Sequence, residues 1–311
     1  MNKKAIRDAL GKTLSWFSSS LTIMLCIGII IYILVKGFSQ INLSFILSEP
    51  NPTFKEELSG GISTPIIGTF VLTLIGILLA FPWALSTSIY LAEYSQRNPL
   101  AKYFRLGIDV LAGVPTIVIA IFGLAIFSNP FFGFLSSMVE GVEGINKAFG
   151  HSFFVAGLTM AVMILPFIIK TCEEAIKSVP QSYREGSLAM GASKWHTVTS
   201  IVLPSASRGI ITGVVLGMGR IIGDTAIVML TLGATLRMTG IQPWWAPQNW
   251  ISTLRNTGST LTSYIYFASP AGEGNMTAKA FGASLVLIVI IILLNFLTDI
   301  LGSLNKTVRE E

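Results

Sequence analysis

Six apolar runs, each about as long as a membrane-spanning helix, constrain the fold of this chain. A helix rises about 1.5 Å per residue, so roughly 20 apolar residues cross the hydrocarbon core of a bilayer. Long runs of this kind favour helices over a β-barrel, whose strands are about ten residues long and alternate in polarity. We therefore predict an all-α integral membrane protein with six transmembrane helices, at 16–35, 62–86, 108–127, 153–171, 209–236 and 281–301.

The charges support this class and predict an orientation. The chain of 311 residues is 52% hydrophobic and only 12% charged, about half the charged fraction of a soluble domain. With the N-terminus inside, 14 of the 21 Lys and Arg residues lie in cytoplasmic stretches and 6 in external ones. Because Lys and Arg accumulate on the cytoplasmic side, we predict that both termini are cytoplasmic. The net charge of +5 then reflects topology in a lipid membrane, and we predict no nucleic-acid partner.

The sequence contains no internal repeat, so we predict one membrane domain. Residues 1–60 hold an N-terminal cytoplasmic tail, the first helix and an external loop, and 61–311 form the core, with a cytoplasmic loop at about 173–207. The external stretch 237–280 is the longest. Its tryptophans, Trp244, Trp245 and Trp250, fit either an aromatic belt at the membrane interface or a docking surface for an external partner.

The cytoplasmic loop is amphipathic rather than a simple turn. Ser182 and Glu185 have the spacing of a capping box, which predicts a short helix over 183–190. Gly191 can end it in the left-handed conformation, and a second turn over 195–202 should stop before Pro204. Such an element fits either an interfacial helix or a docking site for a cytoplasmic partner.

No catalytic or metal-binding motif is complete in this sequence. Gly11, Lys12 and Thr13 imitate the end of a phosphate-binding loop, but Ile6 stands where its first glycine should be. The two histidines, His151 and His196, are solitary. We predict a chain that is not an enzyme, binds no metal and needs no cofactor of its own.

Several stretches resemble a known family. The cytoplasmic loop resembles the EAA loop of ABC-importer permeases, with Glu185, Gly191, Ile201, Leu203 and Pro204 at the family's spacing; it departs from the family at Gly186 and Ser187, where alanines are usual. The stretch 90–124, which contains LAGVP, and the stretch 219–226, GRIIGDTA, resemble the phosphate-specific transport permeases, and in particular the A-type subunit, PstA.

The resemblance implies a type I importer permease fold in the cytoplasmic (inner) membrane of a prokaryote. It also implies partners: a homologous C-type permease, two ATPase subunits that hold the ATP and magnesium, and an extracytoplasmic phosphate-binding protein. Residues Ser182 to Pro204 of the EAA loop would seat in the ATPase. The alternatives are a permease for another oxyanion, such as molybdate, tungstate or sulfate, and an ATP-independent secondary transporter.

The fifth run is unusual because it carries Arg220 and Asp224. Two central charges raise the free energy of membrane insertion by roughly 5–7 kcal/mol. The eleven Ile, Leu and Val residues of 209–232 lower it by roughly 3–7 kcal/mol. The segment therefore inserts only marginally, so its charges should face protein or water rather than lipid.

Helical spacing puts glycines and both charges on one side of this predicted helix. We predict close helix packing at four glycines and a substrate path at Arg220, Asp224 and Thr225. In a purely structural alternative, Arg220 and Asp224 only neutralise each other. In the functional reading, Arg220 binds a phosphate oxyanion. The packing glycines are Gly209, Gly213, Gly217 and Gly223.

Overall fold

The computed structural model describes residues 3–51, 59–95, 98–136, 150–233, 235–272 and 274–307. Within these residues the fold is helical, and the one extended pairing is an isolated bridge between Pro50 and Gly60. The helices are α1 (Lys3–Phe38), α2 (Leu43–Leu47), α3 (Ser63–Ile89), α4 (Leu100–Gly113), α5 (Thr116–Phe127), α6 (Phe153–Lys177), α7 (Gln181–Ala189), α8 (Lys194–Thr197), α9 (Leu203–Gly223), α10 (Trp250–Arg255), α11 (Leu261–Ala268) and α12 (Thr277–Thr307). Three π-helical turns extend them, at Tyr90–Tyr94, Val198–Val202 and Val228–Leu232.

Five helical stretches in the described part of the chain are long and apolar enough to span a membrane, and the pair α4 and α5 makes a sixth if it is counted as one span. The prediction of an all-α protein with six spans is therefore confirmed on that count. The five stretches are Leu10–Phe38, Ser63–Tyr94, Phe153–Lys177, Lys194–Gly223 and Thr277–Leu297.

The third predicted span is not the single helix expected over 108–127. α4 ends at Gly113, α5 begins at Thr116, and their axes differ by 99°. Pro115 offers no backbone N–H and disfavours a helical conformation in the residue before it. Val114 is accordingly extended, with φ −72° and ψ 127°. The sharp bend leaves only the twelve residues of α5 beyond it.

The fifth predicted span is also interrupted. α9 ends at Gly223, and Asp224 is extended, with φ −79° and ψ 131°. The Asp224 side chain accepts a hydrogen bond of 2.8 Å from the N–H of Ile227 and so caps the helical segment that follows. The Thr262 hydroxyl, in α11, donates to the backbone carbonyl of Asp224 at 3.2 Å. Lipid offers no hydrogen bonds, so a break of this kind needs such partners.

The core is formed by α3, α6 and α9, which bring small and branched apolar residues together. A short buried helix, α11, lies against α3 and α12, although the sequence predicts an external stretch over 237–280. α1 packs along α12, where the rings of Tyr32 and Phe281 meet edge to face with centroids 5.5 Å apart. Most of the remaining surface of α1 is exposed.

Glycines on α9 let it approach α6 closely. A Cβ atom at Gly209 would lie 2.6 Å from the Ala175 Cβ, and one at Gly213 would lie 2.5 Å from Thr171 Oγ1. At Gly217 the nearest atoms belong to Ile168, 3.2 Å away. The fourth predicted packing position, Gly223, is different because a Cβ there would meet nothing within 4 Å. Gly223 comes six residues after Gly217, so it lies on another side of the helix.

These contacts predict opposite effects of alanine at two glycines of α9. Gly213→Ala should lower the free energy of unfolding by about 1–3 kcal/mol, because the new methyl group overpacks the contact with Thr171. Gly219→Ala is the matched control, since nothing lies within 4 Å of its Cβ position. It should raise stability by up to about 1 kcal/mol through helix propensity. Unfolding of the purified chain in detergent measures both, and equal effects would contradict the packing.

Candidate functional site

Arg220 lines a cavity of about 180 Å³. It lies in the last turn of α9, and its guanidinium carbon is 6.0 Å from the centroid of the Phe167 ring on α6, at the limit of a cation–π contact. The other walls come from the bend between α4 and α5 and from α6. The cavity-lining residues are Leu111, Ala112, Val114, Ile119, Met163, Pro166, Phe167, Lys170 and Arg220.

A second cation, which the sequence analysis missed, faces the same cavity. Lys170 lies on α6, and its Nζ is 2.6 Å from the Asp109 carboxylate on α4. Both side chains are about half exposed, so this chain does not enclose the pair. The cavity is therefore bordered by two cations and one nearby carboxylate. A lysine at the end of an apolar run has no spacing signal that would separate it from an ordinary topology-setting charge.

The structural alternative, in which Arg220 and Asp224 pair along one helix, is wrong because α9 ends between them. The Asp224 carboxylate caps the next segment, and no salt bridge within 4.0 Å joins it to Arg220 among the described ion pairs. Neither Asp224 nor Thr225 lines the cavity. Of the three residues predicted for a path, the structure brings only Arg220 to the cavity wall.

The cytoplasmic loop forms a short helix, but not by the predicted capping box. α7 begins at Gln181 directly after Pro180, and its start has no side-chain cap. Ser182 and Glu185 lie inside the helix, and both are exposed. The backbone of Pro180, with φ −56° and ψ 140°, starts the helix two residues earlier than the capping box would. The Ser182 hydroxyl and the Glu185 carboxylate are thus available to other partners.

Gly191 adopts the left-handed conformation predicted for it, with φ +83°. Its N–H bonds the Leu188 carbonyl at 3.0 Å, and the Ala192 N–H bonds the Ser187 carbonyl at 3.3 Å. This pair of hydrogen bonds is the Schellman motif that commonly ends helices. Ser193 then caps α8 by accepting from the N–H of His196 at 3.3 Å. The predicted order of helix, glycine and helix is therefore confirmed.

The second helix does not stop before Pro204, as the sequence predicts. α8 continues through the π turn Val198–Val202 into α9, so that Lys194–Gly223 is one helical stretch. Within it the Leu203 N–H bonds the Val198 carbonyl, five residues back. Pro204 falls in the first turn of α9, where the missing proline N–H is tolerated. The wider turn thus removes the clash expected of a proline inside a helix.

The helices α7 and α8 present an exposed surface that combines polar and large apolar side chains. Met190 is 88% exposed and Trp195 is 60% exposed. Large apolar side chains grouped on a surface are typical of protein interaction sites. We call this the coupling surface and define it as Ser182, Tyr183, Glu185, Leu188, Met190, Gly191 and Trp195, all of them exposed.

Beneath the coupling surface, a buried ion pair attaches α7 to the end of α3. Arg184 donates to one oxygen of Glu93 from Nε at 2.9 Å and from Nη2 at 2.7 Å. The two side chains are only 13% and 7% exposed. The sequence analysis missed this pair because the partners are 91 residues apart. The signal available was an arginine adjacent to Glu185 on a helix whose other charges face solvent.

Comparison with known proteins identifies relatives of this chain. Residues 84–306 match the family described as "Binding-protein-dependent transport system inner membrane component". The chain is 30% identical over 307 residues to the probable ABC transporter permease protein YqgI of Bacillus subtilis (strain 168), with 98% of this chain and 97% of that protein covered. It is 28% identical over 240 residues to the phosphate transport system permease protein PstA 1 of Mycobacterium tuberculosis (strain CDC 1551 / Oshkosh), with 77% and 70% covered.

The fold is similar to a chain in the crystal structure of a bacterial alginate ABC transporter in complex with alginate pentasaccharide-bound periplasmic protein. The TM-score is 0.61 at 18% identity, and 96% of this chain and 97% of that chain are covered. At that identity the likeness concerns the fold alone, which is that of type I ABC importer permeases. From the spans and the family match together, the chain belongs to the binding-protein-dependent transport system inner membrane components and is a permease subunit of an ABC importer, a transport component rather than an enzyme.

Proposed function

We propose that this permease carries phosphate across the inner membrane of a prokaryote as the A-type half of an ATP-driven importer. A homologous C-type permease would complete the path, two ATPase subunits would bind ATP and magnesium, and an extracytoplasmic phosphate-binding protein would deliver the ion. This chain would need no cofactor of its own. The similarity to a phosphate transport system permease supports the substrate, and family membership argues against an ATP-independent transporter.

The single observation that carries the proposal is Arg220 at the wall of the cavity. A guanidinium group has a rigid fork of donors that suits a phosphate oxyanion, and charge-assisted hydrogen bonds are the stronger ones. Lys170 adds a second positive charge at the same cavity. The Asp109 carboxylate beside Lys170 keeps the net attraction modest. Modest attraction suits a transport path, since the ion must also leave.

The break after α9 serves this path indirectly in our proposal. Interrupted helices in transporters commonly lie beside the substrate route, where irregular backbone is tolerated. Asp224 and Thr225 form the break, and the Asp224 cap fixes where α9 ends. We assign these two residues the task of holding the end of α9, and therefore Arg220, in place at the path.

On the cytoplasmic side, we propose that the coupling surface and the following residues Ile201, Leu203 and Pro204 seat in the ATPase. The exposed Met190 and Trp195 support this, because apolar anchors suit a groove on a partner. On the external side, the exposed Trp245 and Trp250 support docking of the binding protein. ATP binding and hydrolysis would then drive alternating access of the cavity.

Replacing Arg220 tests the path. We expect Arg220→Gln to lower phosphate uptake into proteoliposomes that contain the whole assembly by about 10–100-fold, since hydrogen bonds to a charged group contribute about 1.5–3 kcal/mol. Assembly and ATP hydrolysis should persist. Arg208→Gln, an exposed arginine on the same helix, is the matched control and should leave uptake within about twofold.

Two outcomes would overturn parts of this proposal. Undiminished uptake with Arg220→Gln would move the path away from the cavity. If the unmodified assembly ignores phosphate but imports molybdate, tungstate or sulfate, the substrate is wrong, while the importer assignment stands.

Replacements on the coupling surface test the ATPase contact. Glu185→Ala should lower ATP-driven uptake by about 2–10-fold, because it removes a hydrogen-bonding or ionic contact worth roughly 0.5–1.5 kcal/mol. Gly191→Ala should reduce uptake more, since a left-handed alanine costs about 1–2 kcal/mol. Co-purification of the ATPase with each variant shows whether the loss of uptake comes from weaker ATPase binding. Glu174→Ala, an exposed acid nearby on α6, should change neither quantity; an equal loss with this variant would show a general charge effect.

A further inference from the structure

The π turn Tyr90–Tyr94, which ends α3, is the place where the cytoplasmic elements of the chain meet. Leu91 and Glu93 within it are 1% and 7% exposed. π turns are rare and occur mostly as short bulges at functional positions. This one receives charged side chains from three other helices, α4, α7 and α8.

The coupling surface is attached to this turn from two sides. Arg184 of α7 bonds the Glu93 carboxylate and also donates to the carbonyls of Ile176 and Val179 at the end of α6, at 2.9 and 2.6 Å. Lys194 of α8 donates to the backbone carbonyl of Glu93, and its Nζ lies 4.5 Å from the centre of the Tyr94 ring. α7 and α8 are therefore held to one turn of the core.

The same turn is attached to α4. Arg105 Nη2 donates to the Leu91 carbonyl at 3.0 Å and to the Glu173 carboxylate of α6 at 2.9 Å. Lys177 also pairs with Glu173, at 2.6 Å. Because α4 runs from Arg105 into the bend at Pro115, residues at its far end, including Leu111 and Val114, form the wall of the Arg220 cavity.

These contacts form an unbroken route from the coupling surface to the cavity wall. It passes from α7 through Arg184 to Glu93, from Leu91 to Arg105, and along α4 to the bend. The ion pairs at Glu93 and Glu173 are buried or partly buried, so solvent and salt screen them less than surface pairs. Removing one partner of such a pair leaves an uncompensated charge and weakens the contact strongly.

We propose that the π turn Tyr90–Tyr94 is the joint through which the coupling surface moves α4, and that Glu93 is the positioning residue that links ATPase motion to the cavity. The inference rests on the proposed ATPase coupling but not on phosphate as the substrate. In this mechanism α7, α8, the π turn and α4 shift as one body, and the bend at Pro115 takes up the change.

Uptake per ATP hydrolysed is the first test. With Glu93→Gln in the reconstituted assembly, the ATPase should remain bound and its rate should stay within about twofold, while phosphate transported per ATP falls at least about tenfold. Arg184→Gln should lower phosphate transported per ATP to the same extent. The double variant should lower this ratio no further than either single variant, because each of the three removes the same ion pair. Arg184→Lys should recover part of the ratio. Glu174→Gln is the exposed control, expected to match the unmodified assembly.

An unchanged ratio in Glu93→Gln would overturn the proposal, as would additive losses in the double variant. A fall in phosphate transported per ATP that is no larger than the fall in ATPase binding would also overturn the proposal, because lost docking alone would explain it. If Glu93→Gln does not assemble, phosphate transported per ATP is measured with Arg184→Lys instead, because that variant keeps the charge and loses the forked contact. An unchanged ratio in Arg184→Lys would then overturn the proposal.

Spin-label distances give a second test that needs no phosphate. Labels at Gln181→Cys on α7 and Tyr103→Cys on α4, both exposed positions, are introduced after replacing Cys26 and Cys172 with alanine. In the whole assembly the distance between the labels should stay within about 2 Å when ATP is added without magnesium. With Glu93→Gln, ATP should broaden or shift it. A distance that changes with ATP in the unmodified assembly would show that α7 and α4 move independently, and would overturn the joint even if phosphate uptake is normal.

Discussion

A helix that breaks inside a bilayer must find new partners for its backbone polar groups, and the structure depends on two such breaks. At Pro115 the missing N–H reduces the number of groups to be satisfied, and α4 leaves α5 at 99°. At Asp224 the side chain supplies one partner and Thr262 supplies another. Both breaks lie beside the Arg220 cavity or at the end of its helix. In the proposed function, this irregular backbone lies beside the route of a polar solute, where it is tolerated.

Close packing explains why these breaks do not loosen the core. α3, α6 and α9 pack through small residues, so α9 lies against α6 over three successive glycines. This face belongs to contacts within the chain, as the Cβ positions of the three glycines against Ala175, Thr171 and Ile168 show. The glycine stripe therefore fixes the height of Arg220 relative to Phe167 and Lys170. An interface with a second permease must use other surfaces.

The sequence predicts the number of spans because each apolar run carries its own signal, but it does not predict that the third and fifth runs are interrupted. It predicts Gly191 well because a left-handed helix end depends on one residue type and its neighbours. It fails at Asp224, because a carboxylate four residues after Arg220 fits a helical stripe as well as it fits a cap. It fails at Pro204 because a π turn has no simple sequence pattern. It misses Glu93 with Arg184, and Asp109 with Lys170, because long-range pairing is decided by how helices pack rather than by spacing.

The continuous helical stretch from Lys194 to Gly223 has a thermodynamic consequence. One end of this stretch carries Trp195 of the coupling surface and the other carries Arg220, so one continuous helix connects the two sites. Linkage between two sites is reciprocal, whatever the direction in which a cycle is driven. In the proposed importer, binding of the ion in the cavity would therefore change the affinity of the coupling surface for the ATPase by the same factor by which ATPase binding changes the affinity for the ion. An occupied permease and an empty one would then be two different ligands for the ATPase.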